Sequence, residues 1–479
     1  MRGLMMDQPL LISSQLEFAA RYFGDVEIVT RTVAGPIVRS TWREVADRAR
    51  QLAHALLKLG VVEGDRVATI AWNTQRHLEL YFAVSSIGAV LHTINPRLSP
   101  EQLAFVVDNA DDKVLFYDTT FAKLAELVAA RVPKQIALDD SYEALIANEP
   151  TTITWPTLDE RAASSLCYTS GTSGQPKGVL YSHRSTVLHS WSICTADALA
   201  LSGSDVVLPV VPMFHVNAWG LPYAAAIVGA KLVLPGPGLD GRSLTELIEG
   251  EGVNSLLGVP TVWTNLLNHL DSEGKILRGI KKVVIGGSAA PLSMIRTFEE
   301  KHHAPVIHAW GMSETSPVGT VNTSLPKHAA LSDDERYALK RKQGRAIFGV
   351  DLRIVDADGH ELPHDGVANG DLEVRGPWVA SGYFNQDVEG SHHDGWFKTG
   401  DIATIDADAF MQITDRSKDV IKSGGEWISS IDLENAALGC VGVAAAAAIG
   451  LPHPKWAERP LLVVVRAPTK PELSAAEVQ

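Results

Sequence analysis

Trp42-Arg-Glu-Val-Ala-Asp-Arg-Ala-Arg-Gln-Leu-Ala-His-Ala-Leu-Leu-Lys-Leu-Gly60 carries apolar residues at helical spacing and stops at a glycine. Shortly after it, Arg66-Val-Ala-Thr-Ile-Ala-Trp72 is a strand-length run rich in β-formers. A helix pattern followed by a strand pattern, repeated, is the mark of α/β layers around a parallel sheet. The same rhythm recurs at 81–88 with 90–93, at 101–109 with 113–117 and at 244–251 with 255–259. After about Gly344 the texture changes to short alternating strands and turn dipeptides, at 350–356, Asp358-Gly359, 370–375 and Asp394-Gly395. From Asp415 the charged stretch Asp-Arg-Ser-Lys-Asp-Val-Ile-Lys-Ser-Gly-Gly-Glu-Trp427 reads as a hinge into a last small unit. The expected architecture is α/β: a large domain over 1–414 with a β-rich subdomain at about 344–414, a hinge at 415–418, and a partial small α+β domain over 419–479.

Composition narrows the function classes. At 479 residues the chain exceeds one ordinary domain, and 46% hydrophobic with 20% charged residues is normal for a globular protein. The net charge of -14 is spread without long single-sign runs, which argues against a nucleic-acid partner but leaves a mononucleotide open. Cys167, Cys194 and Cys440 show neither metal-ligand nor redox-pair spacing, so a reducing cytoplasm is the expected compartment. Residues 1–13 lack the pattern of a secretory signal. The most apolar stretch, 206–235, is interrupted by Pro209, Pro212, His215, Pro222 and Lys231 and is read as buried core, not as a membrane span.

The sharpest chemical segment is Tyr168-Thr-Ser-Gly-Thr-Ser-Gly-Gln-Pro-Lys-Gly178. Small residues there can expose backbone N–H groups, and hydroxyls with a lysine can hold phosphate oxygens. It is not a Walker A loop, because Pro176 stands where glycine must precede the lysine, and Gln175 breaks the pattern of a nucleophile elbow. A plain polar turn is the bland alternative, but turns seldom concentrate all these residue types. A second glycine segment, Gly236-Pro-Gly-Leu-Asp-Gly241, matches the dinucleotide fingerprint in form and raises an oxidoreductase as the rival class. The acidic residue required about 20 positions on is missing from Leu256-Leu-Gly-Val-Pro260, and Pro235 and Pro237 stiffen the loop.

The 168–178 segment resembles the phosphate loop of the adenylate-forming superfamily, which includes acyl-CoA synthetases, luciferases and peptide-synthetase adenylation domains. Four more segments resemble that family's motifs in its order: Gly286-Gly-Ser-Ala-Ala-Pro291, which would lie along the adenine; Trp310-Gly-Met-Ser-Glu-Thr315; Thr399-Gly-Asp401; and the 415–426 hinge. The resemblance implies an AMP-forming ligase that uses ATP, Mg²⁺ and coenzyme A. It places Thr169, Lys177, Glu314 and Lys418 in catalysis, with Thr169 and Glu314 holding the metal. It assigns nucleotide contacts to Ser170, Gly171, Thr172, Ser173, Gly174, Gly287, Ser288, His308, Ala309, Trp310, Gly311, Ser313, Asp401, Arg416, Lys418, Lys422 and Trp427. The chemistry agrees: attack of a carboxylate on the α-phosphate develops charge on phosphate oxygens, which needs donors and a cation. Asp401 can accept from both ribose hydroxyls, and Trp310 can stack on adenine where the family usually has Tyr. Taken alone, Gly-Asp is also a common turn.

Val211-Pro-Met-Phe-His-Val-Asn-Ala-Trp-Gly220 resembles the wall of the acyl tunnel in fatty-acid CoA ligases, where the tryptophan is a gate that ATP binding opens. His215, Val216 and Trp219 are thus the acyl-site residues, although buried Val and Trp are commonly plain core, and His215 is as readily a core histidine as a partner for the substrate carboxylate. An uncharged wall favours a medium- or long-chain fatty acid over an amino acid, whose ammonium would need a buried carboxylate. The same subfamily includes ligases for short thioether acids, which is the alternative substrate. Homodimer formation is open. The family carries a late Gly-Lys whose lysine serves adenylation; the sequence reaches Gln479 without one, and 383–400 is a few residues short of the family. The expectation is either an incomplete sequence or the loss of a catalytic group, with a silent nucleotide-binding protein as the reading from another class.

Overall fold

The computed structural model describes every residue except Arg2, 170–174, 387–389, Lys418, 424–425, Gly439, Val441, 467–469 and Gln479; for Lys422, Glu426, Trp427, Asp432, Asn435 and Ala476 it describes the backbone alone. Two large sheets dominate. A six-stranded sheet runs Gln135–Ala137, Asp112–Tyr117, Arg66–Ile70, Val90–Thr93, Ala163–Tyr168, Gly178–Ser182, parallel throughout except for the last pair, which is antiparallel. A nine-stranded sheet has a parallel centre from Val306–Gly311 through Lys282–Ile285, Ser255–Gly258, Val206–Pro209 and Lys231–Leu234 to Glu27–Arg31, with antiparallel strands at both ends. The later chain forms two smaller antiparallel sheets, one of five strands between Asp351 and Arg416 and one of four between Ile421 and Arg466. The expected α/β layering with an antiparallel C-terminal region is what the molecule has.

One hydrophobic cluster draws on both large sheets and on helices Trp42–Lys58, Gln75–Ser86 and Leu221–Val228, so these helices fill the space between the sheets. The first starts on a capping box, Thr41 with Glu44, and buries Val45, Leu52 and Leu56 on one face. Each such side chain contributes roughly 1.5–3 kcal/mol by leaving water. The second helix starts at Gln75, six residues before the apolar pattern suggests, because its first turns are polar yet buried. Glu79 is fully buried and accepts from Arg48 at 2.7 Å and from the Tyr142 hydroxyl at 2.5 Å, so these polar turns are held by a buried ion network.

The formal dinucleotide fingerprint does lie between strand Lys231–Leu234 and helix Gly241–Glu251. Its glycines serve packing instead. Gly236 donates its N–H to the Asn73 carbonyl at 3.0 Å, and a Cβ there would stand 2.2 Å from the Arg31 carbonyl. Among the described residues no helix is long and apolar enough to cross a membrane, and 206–235 supplies buried strands and a buried helix.

Candidate active site

The 168–178 segment connects the two antiparallel strands Ala163–Tyr168 and Gly178–Ser182. Its neck is closed by two reciprocal bonds: Thr169 N–H donates to the Lys177 carbonyl at 2.9 Å, and Lys177 N–H donates to Thr169 Oγ1 at 3.1 Å. This fixes Thr169 and Lys177 side by side at the sheet end. Ser170, Gly171, Thr172, Ser173 and Gly174 lie outside the described residues.

Opposite the hairpin, strand Val306–Gly311 carries His308, Ala309, Trp310 and Gly311, and the turn Ser313–Thr315 presents Glu314. The Trp310 indole packs against Gly319 and its Nε1–H donates to Asp401 Oδ2 at 3.0 Å. Arg416 Nε stands 3.5 Å from the other oxygen, Asp401 Oδ1. Burial raises the Asp401 carboxyl above its ordinary range, opposed by the Arg416 charge and the indole bond. Thr399 builds this corner: its hydroxyl donates to the Leu372 carbonyl and accepts the Asp401 N–H. His308 donates through Nδ1 to the Arg341 carbonyl at 3.1 Å. Burial holds this imidazole down to about 4, hence neutral, which leaves Nε2 an acceptor with no partner among the described residues. Glu314 is 5% exposed, and its carboxylate accepts the Tyr383 O–H at 2.6 Å. Lys177 Nζ stands 4.8 Å from the centre of the same Tyr383 ring.

These groups share one cleft. A cavity of about 990 Å³ is lined by Thr169, Lys177, Glu314, Trp310, Arg416 and Tyr383 among others, and it also touches His215, Val216 and Trp219. A smaller one of about 330 Å³ adjoins it through Trp310, Gly311 and Arg416, and holds His308, Ser288 and Asp401 in its wall. Trp219 lines the large cavity beside His215 and Val216. Its ring packs on Gly286, where an added Cβ would lie 3.0 Å from the indole and 3.1 Å from the Ala309 carbonyl. Residues 216–219 all have positive φ, between 45° and 58°, and Gly220 continues the turn at 76°. His215 lines the large cavity, but burial and the nearby Arg97 charge lower its pKa, so it can orient a carboxylate by donation and is ill suited to neutralising one.

The structure thus brings together Thr169, Lys177, Gly287, Ser288, His308, Ala309, Trp310, Gly311, Ser313, Glu314, Asp401 and Arg416, with His215, Val216 and Trp219 alongside. Lys418 lies outside the described residues, and Lys422 and Trp427 are described only as backbone on paired strands. Sequence reading missed Tyr383, and it missed Glu434 and Leu438 of helix Ser430–Leu438, which wall the smaller cavity. Gly382-Tyr383 looks like any turn, and helix residues carry no sign of which cavity they will face.

If the indole N–H holds Asp401, Trp310→Phe keeps an aromatic face but frees the carboxylate. Loss of one charge-assisted bond, about 1.5 kcal/mol, corresponds to roughly tenfold weaker ATP binding. The loss should be smaller for 2′,3′-dideoxy-ATP. Equal losses for the two nucleotides would assign Trp310 to stacking alone.

The AMP-binding enzyme family model matches residues 16–384. The chain is 53% identical over 483 aligned residues to a 3-methylmercaptopropionyl-CoA ligase of Ruegeria lacuscaerulensis, covering 98% of this chain and 90% of that protein. It is 52% identical to a medium-chain-fatty-acid–CoA ligase of Ectopseudomonas oleovorans, covering 100% and 90%. Among solved structures, the anthranilate CoA ligase AuaEII in complex with anthranoyl-AMP superposes with a TM-score of 0.86 at 23% identity, over 98% of this chain and 90% of that one, which shows the shared fold.

Proposed function

The chain belongs to the AMP-binding enzyme family and is an AMP-forming acid–CoA ligase, and from that premise we propose that it activates a medium- or long-chain fatty acid as acyl-AMP, releases pyrophosphate, and passes the acyl group to coenzyme A. The observation that supports this reading is that the Thr169–Lys177 neck and the uncharged Val216 and Trp219 side chains line one cavity and the buried Asp401 carboxylate lines the cavity adjoining it. In this reading the ribose hydroxyls donate to Asp401 and adenine lies along Trp310 and the 286–291 turn, with His308 in the wall of the same cavity. Lys177 and the N–H groups of the 168–178 loop meet the phosphates, where charge develops as the carboxylate attacks the α-phosphorus and pyrophosphate leaves. Val216 and Trp219 flank the entering acid.

The residues fit a magnesium ion. Glu314 is a carboxylate lining the large cavity with one neutral donor and no cationic partner among the described residues, so it is open to a divalent cation. Thr169 and Glu314 would hold the ion, which when bound supplies positive charge to the phosphate oxygens. The same reading includes the 415–418 hinge, supported by Asp415, whose carboxylate accepts from Arg416 N–H, Ser430 N–H and the Ser430 hydroxyl and so ties the strand end to the next helix. It also includes a reducing cytoplasmic setting, in keeping with three free cysteines.

A second acid has a specific observation behind it: the relative named for 3-methylmercaptopropionate is as similar as the medium-chain one. Titration calorimetry with ATP, NAD and a panel from 3-methylthiopropionate through octanoate to palmitate separates the readings. ATP should bind with magnesium present and NAD should not, and in the presence of ATP the affinity should rise with chain length beyond the thioether acid. Tight NAD binding without ATP binding would sink the ligase reading. A preference for the thioether acid would replace the fatty-acid substrate.

A further inference from the structure

Tyr383 enters none of the roles assigned above, yet it touches both sides of the phosphate end of the cleft. Its position follows from the neighbouring residue. Phe384 forms an isolated β-bridge with Gly178, donating its N–H to the Gly178 carbonyl at 2.8 Å, and its ring packs with the core cluster behind the six-stranded sheet. That bridge pins residue 384 against the residue that follows Lys177. The preceding side chain therefore reaches the cleft, where its ring meets the Lys177 ammonium at 4.8 Å and its hydroxyl donates to Glu314 at 2.6 Å. Among the described residues no other hydrogen bond reaches the Glu314 side chain.

Resting on the ATP and magnesium reading of this cleft, we infer that Tyr383 is the positioning residue that couples Glu314 to Lys177, holding the carboxylate in one rotamer for a cation while its ring seats the ammonium facing the phosphates. Two charged side chains 137 positions apart in sequence are registered through one phenol ring. A carboxylate that must meet a cation at fixed distance gains most from such a partner, since partners of metal-ligating groups commonly govern affinity by about tenfold or more. Removing the hydroxyl leaves Glu314 free to turn, and only binding that runs through the cation should feel the change.

The test is ATP titration of the whole chain in EDTA and in excess magnesium. Tyr383→Phe keeps the ring over Lys177, so its affinity in EDTA should match wild type, while its affinity in magnesium should fall by roughly tenfold. Glu314→Gln should lose the magnesium-dependent gain, and the double variant should be no weaker than Glu314→Gln alone, because the hydroxyl acts through that carboxylate. Tyr383→Leu should weaken binding in EDTA as well, by unseating Lys177. Equal weakening of Tyr383→Phe in both buffers would mean a merely structural role, and additive losses in the double variant would mean that it does not act through Glu314; either result overturns the proposal. A wild-type chain that bound no ATP would overturn the ligase reading and this one together, whereas ATP binding indifferent to the loss of the hydroxyl overturns this one alone.

Discussion

An Asp401→Ala variant is expected to bind ATP at least a hundredfold more weakly than wild type, with little change for 2′,3′-dideoxy-ATP relative to its own wild-type value. The carboxylate is 6% exposed and shielded from bulk water, so hydrogen bonds to it keep most of their strength. Two charge-assisted bonds from ribose hydroxyls, at roughly 1.5–3 kcal/mol each, amount to at least a hundredfold in affinity. The free protein already spends donors on this group, the Trp310 Nε1–H on one oxygen and Arg416 on the other. Truncation therefore also leaves a buried indole N–H unpaired, at a cost of about 1–3 kcal/mol, and the variant should unfold at a lower temperature. Asp401→Asn separates the two effects, because an amide oxygen can still accept from the indole while the charge is gone. Its thermal midpoint should recover and its ATP affinity should not. An Asp401→Ala protein that kept near-normal ATP affinity would remove Asp401 from the nucleotide site.

What could be read from sequence is what lies contiguously in it. The 168–178 and 310–315 segments each begin at the end of a strand, and Thr399-Gly-Asp401 sits at a pairing irregularity within strand Trp396–Ile405, so in each a few adjacent residues make the local structure. The parallel sheets were legible for the same reason, since the strands at 90–93 (Val-Leu-His-Thr) and 255–258 (Ser-Leu-Leu-Gly) are short, fully buried segments between helices. Tyr383 was not, because its role exists only where residues 178, 314 and 384 meet. Nor was the full extent of helix Gln75–Ser86, whose polar first turns are compensated by Arg48 and Tyr142 from elsewhere in the chain. The formal fingerprint at 236–241 shows the converse case: glycines required for close packing can spell a ligand motif that the fold does not use.

The turn at 216–220 was the least legible of all, and it supports the gate prediction most directly. Val216, Asn217, Ala218 and Trp219 stand in the left-handed region, where each non-glycine residue costs roughly 1–2 kcal/mol, or about 4–8 kcal/mol for the run. Of these, only Asn commonly adopts that conformation. The buried Asn217 side chain fastens the turn to strand Ala163–Tyr168, donating to Ser165 Oγ at 2.9 Å and accepting from the Cys167 thiol at 3.4 Å. A gate at Trp219 supposes a second arrangement of this strained turn, which is tied to strand Ala163–Tyr168 and carries a bulky ring against Gly286, since coupling between sites requires two states. Trp219→Ala removes the ring but leaves the tether. ATP should then cease to improve fatty-acid binding: a coupling within the usual range of about 5–150-fold should fall to near unity, through tighter binding of the acid in the absence of nucleotide. Because coupling is reciprocal, fatty acid should equally cease to improve ATP binding in the variant. The measurement is a pair of calorimetric titrations, acid with and without ATP and ATP with and without acid, on wild type and variant. Unchanged acid affinity and unchanged coupling in Trp219→Ala would make this tryptophan ordinary core, and the strain in residues 216–219 would need a cause unrelated to acyl entry.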